Sequence, residues 1–363
     1  MKKLISILMA MVMMLAVVGC AAPAAEAPAA AEAPAAAEAP AAEAPAAEAP
    51  ASEEADPLAD LEPIKINLAS TYASADSQVV AANKFKEIVE ERSNGKITVE
   101  IFADGVMGGE ADNLEMCSFG EIEMLVVGTL CITNYAPQYS FFDAPFIFEN
   151  AEHMMNTWDG ELGDEMRALM EENGLTMIGR MGRGYRYITS NELVESVEDM
   201  HKLTIRTSTS KPYVDTLGAL GAVTVPLALT ELFTSLQMGV VDASEGPMDQ
   251  IVGYKLYEVQ DHIALSGHAY SLSCWIMNSD FYQGLDPAYQ EIIDAATAEA
   301  CEFGTKLGEE REAALIEECK SYGVAFNEVD LLPFIEKARP AIDALFAADW
   351  PVTNADEVAS YAN

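Results

Sequence analysis

Residues 203–250 read LTIRTSTSKPYVDTLGALGAVTVPLALTELFTSLQMGVVDASEGPMDQ. The stretch opens on alternation, Leu203-Thr204-Ile205-Arg206, a short strand that ends by presenting one cation. A helical segment over 213–220 closes at Gly221, and Val223-Thr224-Val225-Pro226 is β-like. Thr230 reads as an N-cap, with Leu232, Phe233, Leu236 and Met238 following at helical intervals before Gly239. Val240-Val241-Asp242-Ala243 reads as another short buried strand, and Ser244-Glu245-Gly246-Pro247 as a turn.

Upstream, Ile64–Ala69 alternates as a first strand. A helix starting within 74–78 carries Val79, Val80, Ala82, Phe85, Ile88 and Val89 at helical spacing and ends at Asn94-Gly95. Ile97–Phe102 alternates again, so this β-α-β unit implies a parallel pair with a right-handed crossover. Beyond it come a helix over 110–119, a buried strand over 122–127, one helix over 151–173 and a strand over 175–181. Downstream of the central stretch, residues 269–277 read as a strand containing Trp275. Pro287 sits near a helix start, where its missing N–H costs nothing, and helical pattern runs on to Tyr322. Such a helix is long for a globular protein, and Gly304 and Gly308 mark a bend or a close packing point within it.

Four short motifs in the central stretch occur in order. They are Ile205-Arg206-Thr207, Ala219-Leu220-Gly221-Ala222, Glu231 to Gln237 (ELFTSLQ), and Gly239 to Pro247 (GVVDASEGP). Together they resemble the extracytoplasmic solute-binding proteins of TRAP transporters, the DctP-like family, which capture organic-acid anions. The run from Phe85 to Phe102 and the segment Phe142-Asp143-Ala144-Pro145-Phe146-Ile147-Phe148 are similar to other parts of that family, and the resemblance covers residues 64–340. It implies an α/β, two-domain, periplasmic-binding-protein-like fold (class II-like) with the ligand cleft between domains and one long helix spanning both. The expected division is 64–183 plus 272–311 for one domain and 184–271 plus 312–363 for the other.

Arg206 is the first candidate for the anion. A guanidinium fork matches a carboxylate bidentately and stays charged at every relevant pH. The bland alternative is a structural arginine paired with one of the many acids. Arg186 falls where many family members carry a second substrate-contacting arginine. Arg183 lies three residues before it, and in an extended segment the two point to opposite faces, so one of them is expected in the cleft. Gly246 stands where the family usually has an asparagine, which implies space or backbone contact at that point. Gly128 and Leu229 fall where sialic-acid-binding members place polar or aromatic contacts, which argues against that ligand. Trp275, Tyr72 and Tyr213 are candidates for aromatic walls or, equally, for core.

The first 63 residues read as an address and a tether. Lys2 and Lys3 precede an apolar run over 4–17 that is too short to span a membrane, and Leu15-Ala16-Val17-Val18-Gly19-Cys20 resembles a bacterial lipobox. On that reading residues 1–19 are a lipoprotein signal peptide and Cys20 is the lipidated N-terminus, with several acyl chains giving durable anchoring. Residues 21–50 are a low-complexity Ala-Pro-Glu repeat, and 20–63 as a whole reads as a disordered, extended spacer.

The formal charge of the chain is −39. Removing residues 1–19 takes away two lysines, leaving −41, and the ten acids over 21–63 leave −31 on 64–363. Such a surface disfavours nucleic acid, and salt screening at about 8 Å still lets a local arginine pair govern a cleft. Cys117, Cys131, Cys274, Cys301 and Cys319 contain no C-x-x-C pair and are odd in number; they read as small buried hydrophobes. No Gly-x-Ser-x-Gly, His-Glu-x-x-His or Walker-type loop occurs, and His153, His201, His262 and His268 are scattered. Asp242 and Glu245 are better explained by strand-end and turn roles than as a catalytic pair. The expected function is capture of a small organic-acid anion, carboxylate or possibly sulfonate, for delivery to the membrane subunits of a TRAP permease. The expectation includes no enzyme activity, no cofactor, no metal site and no nucleic-acid partner, with contact to the membrane through the lipid only. A sensory receptor presenting its ligand to a membrane kinase, an ABC-type binding protein and an enzyme on the same scaffold are the alternatives.

Overall fold

The computed structural model describes residues 58–362, so the signal peptide, Cys20 and most of the tether lie outside the described residues. The first β-α-β unit forms as the alternation predicts. β1 (Ile64–Ala69) and β2 (Ile97–Phe102) pair in parallel from Ile64 opposite Ile97, joined by helix Ser77–Arg92. Asp76 caps that helix by accepting the Gln78 N–H at 2.9 Å, which satisfies one of its orphan donors.

β3 (Met124–Gly128) adds parallel to the free side of β1, and β4 (Leu175–Tyr185) closes the first run of strands. The next five are β5 (Tyr187–Ser190), β6 (Thr204–Thr207), β7 (Val223–Pro226), β8 (Ala243–Gly246) and β9 (His262–Leu265). β10 (Tyr270–Asn278) then returns to lie antiparallel between β3 and β4, and β11 (Ala325–Glu328) ends the series. The result is two sheets, β2-β1-β3-β10-β4 and β11-β9-β5-β8-β6-β7. The chain passes between them at Arg186, again over residues 266–269, and a third time along the helix Pro287–Ser321 that leads to β11.

That 35-residue helix packs on helix Ser77–Arg92 and on β4. Gly304 is its close packing point, since a Cβ there would sit 2.7 Å from the Ala81 Cβ and would collide with Met181. Two buried clusters carry the core, and each draws side chains from both sheets. One holds Phe141, Phe142, Trp158, Ile205 and Trp350; the other holds Leu68, Phe85, Trp275, Ile293 and Ile263. All five described cysteines are buried and unpaired.

Three local expectations fail for physical reasons. The helix expected over 151–173 is two, Ala151–Trp158 and Glu161–Glu172, turned so tightly that a Cβ on Gly163 would collide with the Trp158 carbonyl. Thr230 caps nothing; a short 3-10 turn, Leu229–Glu231, starts that segment, and the Glu231 carboxylate accepts the Ala228 N–H at 3.1 Å. The strand expected over 240–243 begins only at Ala243 and continues through the supposed turn to Gly246. Hydrophobicity misplaces it because Val240 is exposed, whereas Ser244 and Glu245 are buried polar groups.

Candidate functional site

The carboxyl ends of parallel strands in open α/β sheets frame crevices that collect ligand-binding groups. Here β3 ends at Gly128, β6 brings Arg206 to its last turn of pleat, and Tyr72 follows β1 by three residues. These residues line one cleft together with Arg183, Arg186, Glu110, Asp143, Tyr213, Leu229, Gln250 and Ser271.

Arg206 is 3% exposed. Its Nε and Nη2 donate to the Leu227 carbonyl at 3.0 and 2.7 Å, a backbone brace from just beyond β7 that fixes the fork. No Asp or Glu oxygen lies within ion-pairing distance of it among the described residues. Burial pulls its pKa down to about 10, so it remains a cation at neutral pH without a paired acid. A buried charge in that state is costly, and an anion entering the cleft relieves the cost.

Arg186 is different. Glu245 grips it twice, Oε2 accepting from Nε at 2.5 Å and Oε1 from Nη2 at 2.7 Å, while Nη1 donates to Ser271 Oγ at 3.2 Å. Its guanidinium lies 5.1 Å from the centre of the Tyr213 ring, a cation–π distance. Burial lowers the Arg186 pKa, but Glu245 together with Tyr213 and Asp143 outweighs it and leaves the pKa raised. Burial likewise pushes Glu245 up, and Arg186 with the His268 bond overturns that, holding the carboxyl well below its usual range. His268 Nε2 lies 3.3 Å from Glu245 Oε2, and its Nδ1 2.8 Å from Ser266 Oγ. An ionised carboxylate only accepts, so Nε2 carries the proton that faces Glu245. The expected turn residue Glu245 is thus the anchor that aims Arg186, and His268 is its support.

The expectation that one of Arg183 and Arg186 enters the cleft is corrected: both line it. Gly184 has φ +85°, and a register irregularity opposite it falls between Ser271 and Leu272, so the two-residue alternation breaks between the arginines. The Arg183 guanidinium lies over the Tyr72 ring, 4.0 Å from its centre.

Acid groups stand among these cations. Glu110 accepts the Gly128 N–H at 2.8 Å, and burial with nearby Asp143 pushes its pKa up to about 7. Asp143 accepts from Thr129 Oγ1 at 2.5 Å and Thr133 Oγ1 at 3.1 Å, yet burial still raises its pKa. Sequence reading missed both, and Gln250 as well, because an acid or amide in a helix or loop carries no periodic signal.

The remaining candidates divide. Tyr72, Gly128, Leu229 and Tyr213 reach the cleft, and Tyr72 keeps a buried hydroxyl with no hydrogen-bond partner among the described residues. Gly246 does not line it; a side chain there would collide with the Gln250 amide, 2.8 Å from its Cδ, and Gln250 occupies that space. Trp275 is corrected to core. Almost all of β10 is buried, and Trp275 packs edge-on against Phe85 at 5.8 Å without lining the cleft. Among the described residues no group of three or more His, Cys, Asp or Glu is placed to hold a metal.

Residues 68–349 match the family described as bacterial extracellular solute-binding protein, family 7 (DctP). The 2,3-diketo-L-gulonate-binding periplasmic protein of Escherichia coli K12 is 28% identical over 281 residues, 77% of this chain and 86% of its own length. The C4-dicarboxylate-binding periplasmic protein of Rhodobacter capsulatus is 28% identical over 273 residues, 74% and 81% of the two chains. The sugar acid binding protein of Advenella mimigardefordensis, solved in complex with galactonate, superposes with a TM-score of 0.80 at 25% identity, covering 84% of this chain and 99% of that one.

Proposed function

Because the chain belongs to the DctP family of bacterial extracellular solute-binding proteins, we propose that it captures a small organic-acid anion and hands it to a TRAP-type permease. The observation that carries this is Arg206, buried, braced by the Leu227 carbonyl and without an acid partner among the described residues. A cation preorganised at the carboxyl end of a strand and lacking an internal counter-charge is the complement of a carboxylate. The relatives bind diketogulonate, C4-dicarboxylates and galactonate, all organic-acid anions, which supports the class of ligand.

In this reading the two lobes are residues 64–183 plus 272–311 and residues 184–271 plus 312–363. Each places one or more arginines on the cleft, and closure around the anion excludes water and strengthens the contact. The reading of the cleft as a binding site is supported by the family, described as solute-binding, and by the arginines that line it. The pattern ending in Cys20 supports lipid anchoring to the outer face of the cell membrane. Delivery uses a permease driven by an ion gradient, with no ATPase.

The test is thermal unfolding of the purified protein against a panel of organic anions. A ligand at one hundred times its dissociation constant stabilises the folded state by about 2.7 kcal/mol. A midpoint shift for one class of anion, lost in Arg206→Ala, is the expected result. No shift with any anion, for a protein shown empty by native mass spectrometry, would reject the reading.

A further inference from the structure

A second cavity, of about 320 Å³, shares no lining residue with the cleft and falls in the size range of small-molecule sites. Helix Leu332–Ala348, helix Ala355–Ser360 and the turn over 146–149 wall it, together with Gly267 and His268 of the crossover between the sheets. The lining is mostly apolar, with Phe146, Phe148, Ile335, Ile342, Phe346 and Val358 supplying rings and branched chains. Phe146 is held there at φ +62°, which a large side chain adopts only under constraint, by donating its N–H to the His268 carbonyl at 2.9 Å. The two buried histidines of the wall are already satisfied. His153 Nδ1 accepts the Glu149 N–H at 3.2 Å, so its Nε2 donates to the Val358 carbonyl at 2.7 Å, and His268 Nε2 faces Glu245. A molecule that enters must therefore bring an apolar body, since a polar one would lose water without gaining partners.

The rim is different, because it carries Arg339, which is exposed. Six of the eight arginines of the chain have a carboxylate oxygen within 4.0 Å. The exceptions among the described residues are Arg206, at the cleft, and Arg339, at this cavity. Glu149 shares the lining and lacks a basic partner too. With 59 acids against 20 lysines and arginines, however, an unpaired glutamate is the rule and an unpaired arginine the exception. We propose that this cavity is a second binding site, for a monocarboxylate with a medium-length apolar tail. The tail fills the cavity and the carboxylate meets the Arg339 guanidinium at its rim. Burial of the tail supplies the affinity, and the ion pair selects the head group. The site stands whether or not the cleft takes an organic anion.

Calorimetry with sodium octanoate and its neutral counterpart octanamide tests this on the wild-type protein and on Arg206→Gln, which removes the free cation of the cleft. A single octanoate is expected to bind each chain in both proteins, at least about threefold more tightly than octanamide, the scale of an exposed ion pair. In Arg206→Gln, butyrate should bind more than about tenfold more weakly than octanoate, because its shorter tail buries less. Arg339 is exposed and has no partner among the described residues, so its replacement leaves the fold intact. Arg339→Gln should erase the preference for octanoate while holding octanamide affinity within about twofold, and Arg339→Glu should reverse the preference. No octanoate binding, binding lost in Arg206→Gln, butyrate binding as well as octanoate, or a preference for octanoate that survives in Arg339→Glu would each overturn the proposal. So would phenylalanine binding more tightly than octanoate, since Glu149 would then be holding an ammonium group. Each of these failures is distinct from failure of the cleft reading, which is tested by organic-anion binding lost in Arg206→Ala.

Discussion

Glu245 holds Arg186 by two parallel contacts, 2.5 and 2.7 Å, inside a region where the glutamate is 1% exposed. Removing one partner of such a pair leaves the other charge buried and bare, a loss of about 3–5 kcal/mol. Glu245→Ala is therefore expected to lower unfolding free energy by that amount in chemical denaturation, and a change below about 1 kcal/mol would contradict the role. The pH dependence follows from the same geometry. The Glu245 carboxyl lies below its ordinary value in the folded protein, so its stabilisation is present above the usual carboxylate range and is lost as pH falls through it. Glu245→Gln should flatten the acid limb of the stability curve.

Arg206 uses both Nε and Nη2 on the Leu227 carbonyl, and that brace sets the plane of the fork. A lysine supplies a point charge without the plane. Arg206→Lys is expected to weaken anion binding by about a hundredfold to several thousandfold, the equivalent of about 3–5 kcal/mol. Calorimetry reads this directly, and unchanged affinity would remove Arg206 from the contact.

Glu110 gives the cleft a pH response near neutrality. Burial and Asp143 raise its carboxyl to about 7 in the free protein, and an anion beside it raises it further. Below that pH the group is already protonated in both states and affinity is flat. As pH rises above it, binding must take up a proton, so affinity falls. Calorimetry at pH 8 in two buffers of different ionisation enthalpy should show proton uptake, and Glu110→Gln should abolish it. The sign is also fixed for folding. A carboxyl raised in the folded state stabilises below its unfolded value of about 4.5 and loses that contribution as pH climbs through about 7.

Much of this was legible in the chain. Ile64–Ala69 and Ile97–Phe102 alternate because one row of each is buried, and both form with the expected bounds. Arg206 is visible because it stands near the end of a strand followed by a helix start, a local signal of a cleft-lining position. β8 was misplaced because its buried residues are polar: Glu245 is inside on account of Arg186 and His268, 59 and 23 residues distant, and no local pattern encodes such partners. The expectation that only one of Arg183 and Arg186 enters the cleft fails for a related reason. Two-residue alternation assumes a regular strand, and the positive φ of Gly184 abolishes it, although the intervening glycine in Arg183-Gly184-Tyr185-Arg186 was a warning. Trp275 shows the converse, since a large aromatic on an apolar strand reads alike whether it walls a cleft or fills a core.

The long helix Pro287–Ser321 offers two glycines whose replacement by alanine should have opposite signs. Alanine gains up to about 1 kcal/mol over glycine in a helix interior, where no steric contact opposes it. At Gly308 the added methyl would meet Ser77 Oγ at 3.5 Å, an ordinary contact, so Gly308→Ala should stabilise by about 0.5–1 kcal/mol. At Gly304 the methyl would stand 2.7 Å from the Ala81 Cβ as well as against Met181. The methionine can swing aside, but the Ala81 Cβ is fixed to its own helix and can yield only if that helix moves. Overpacking of this kind costs about 1–3 kcal/mol, which exceeds the propensity gain, so Gly304→Ala should destabilise. Urea unfolding of the two variants side by side decides it, since both carry the same propensity term and differ only in what the methyl meets. Equal stabilisation of the two would mean that the helix does not approach β4 and helix Ser77–Arg92 this closely.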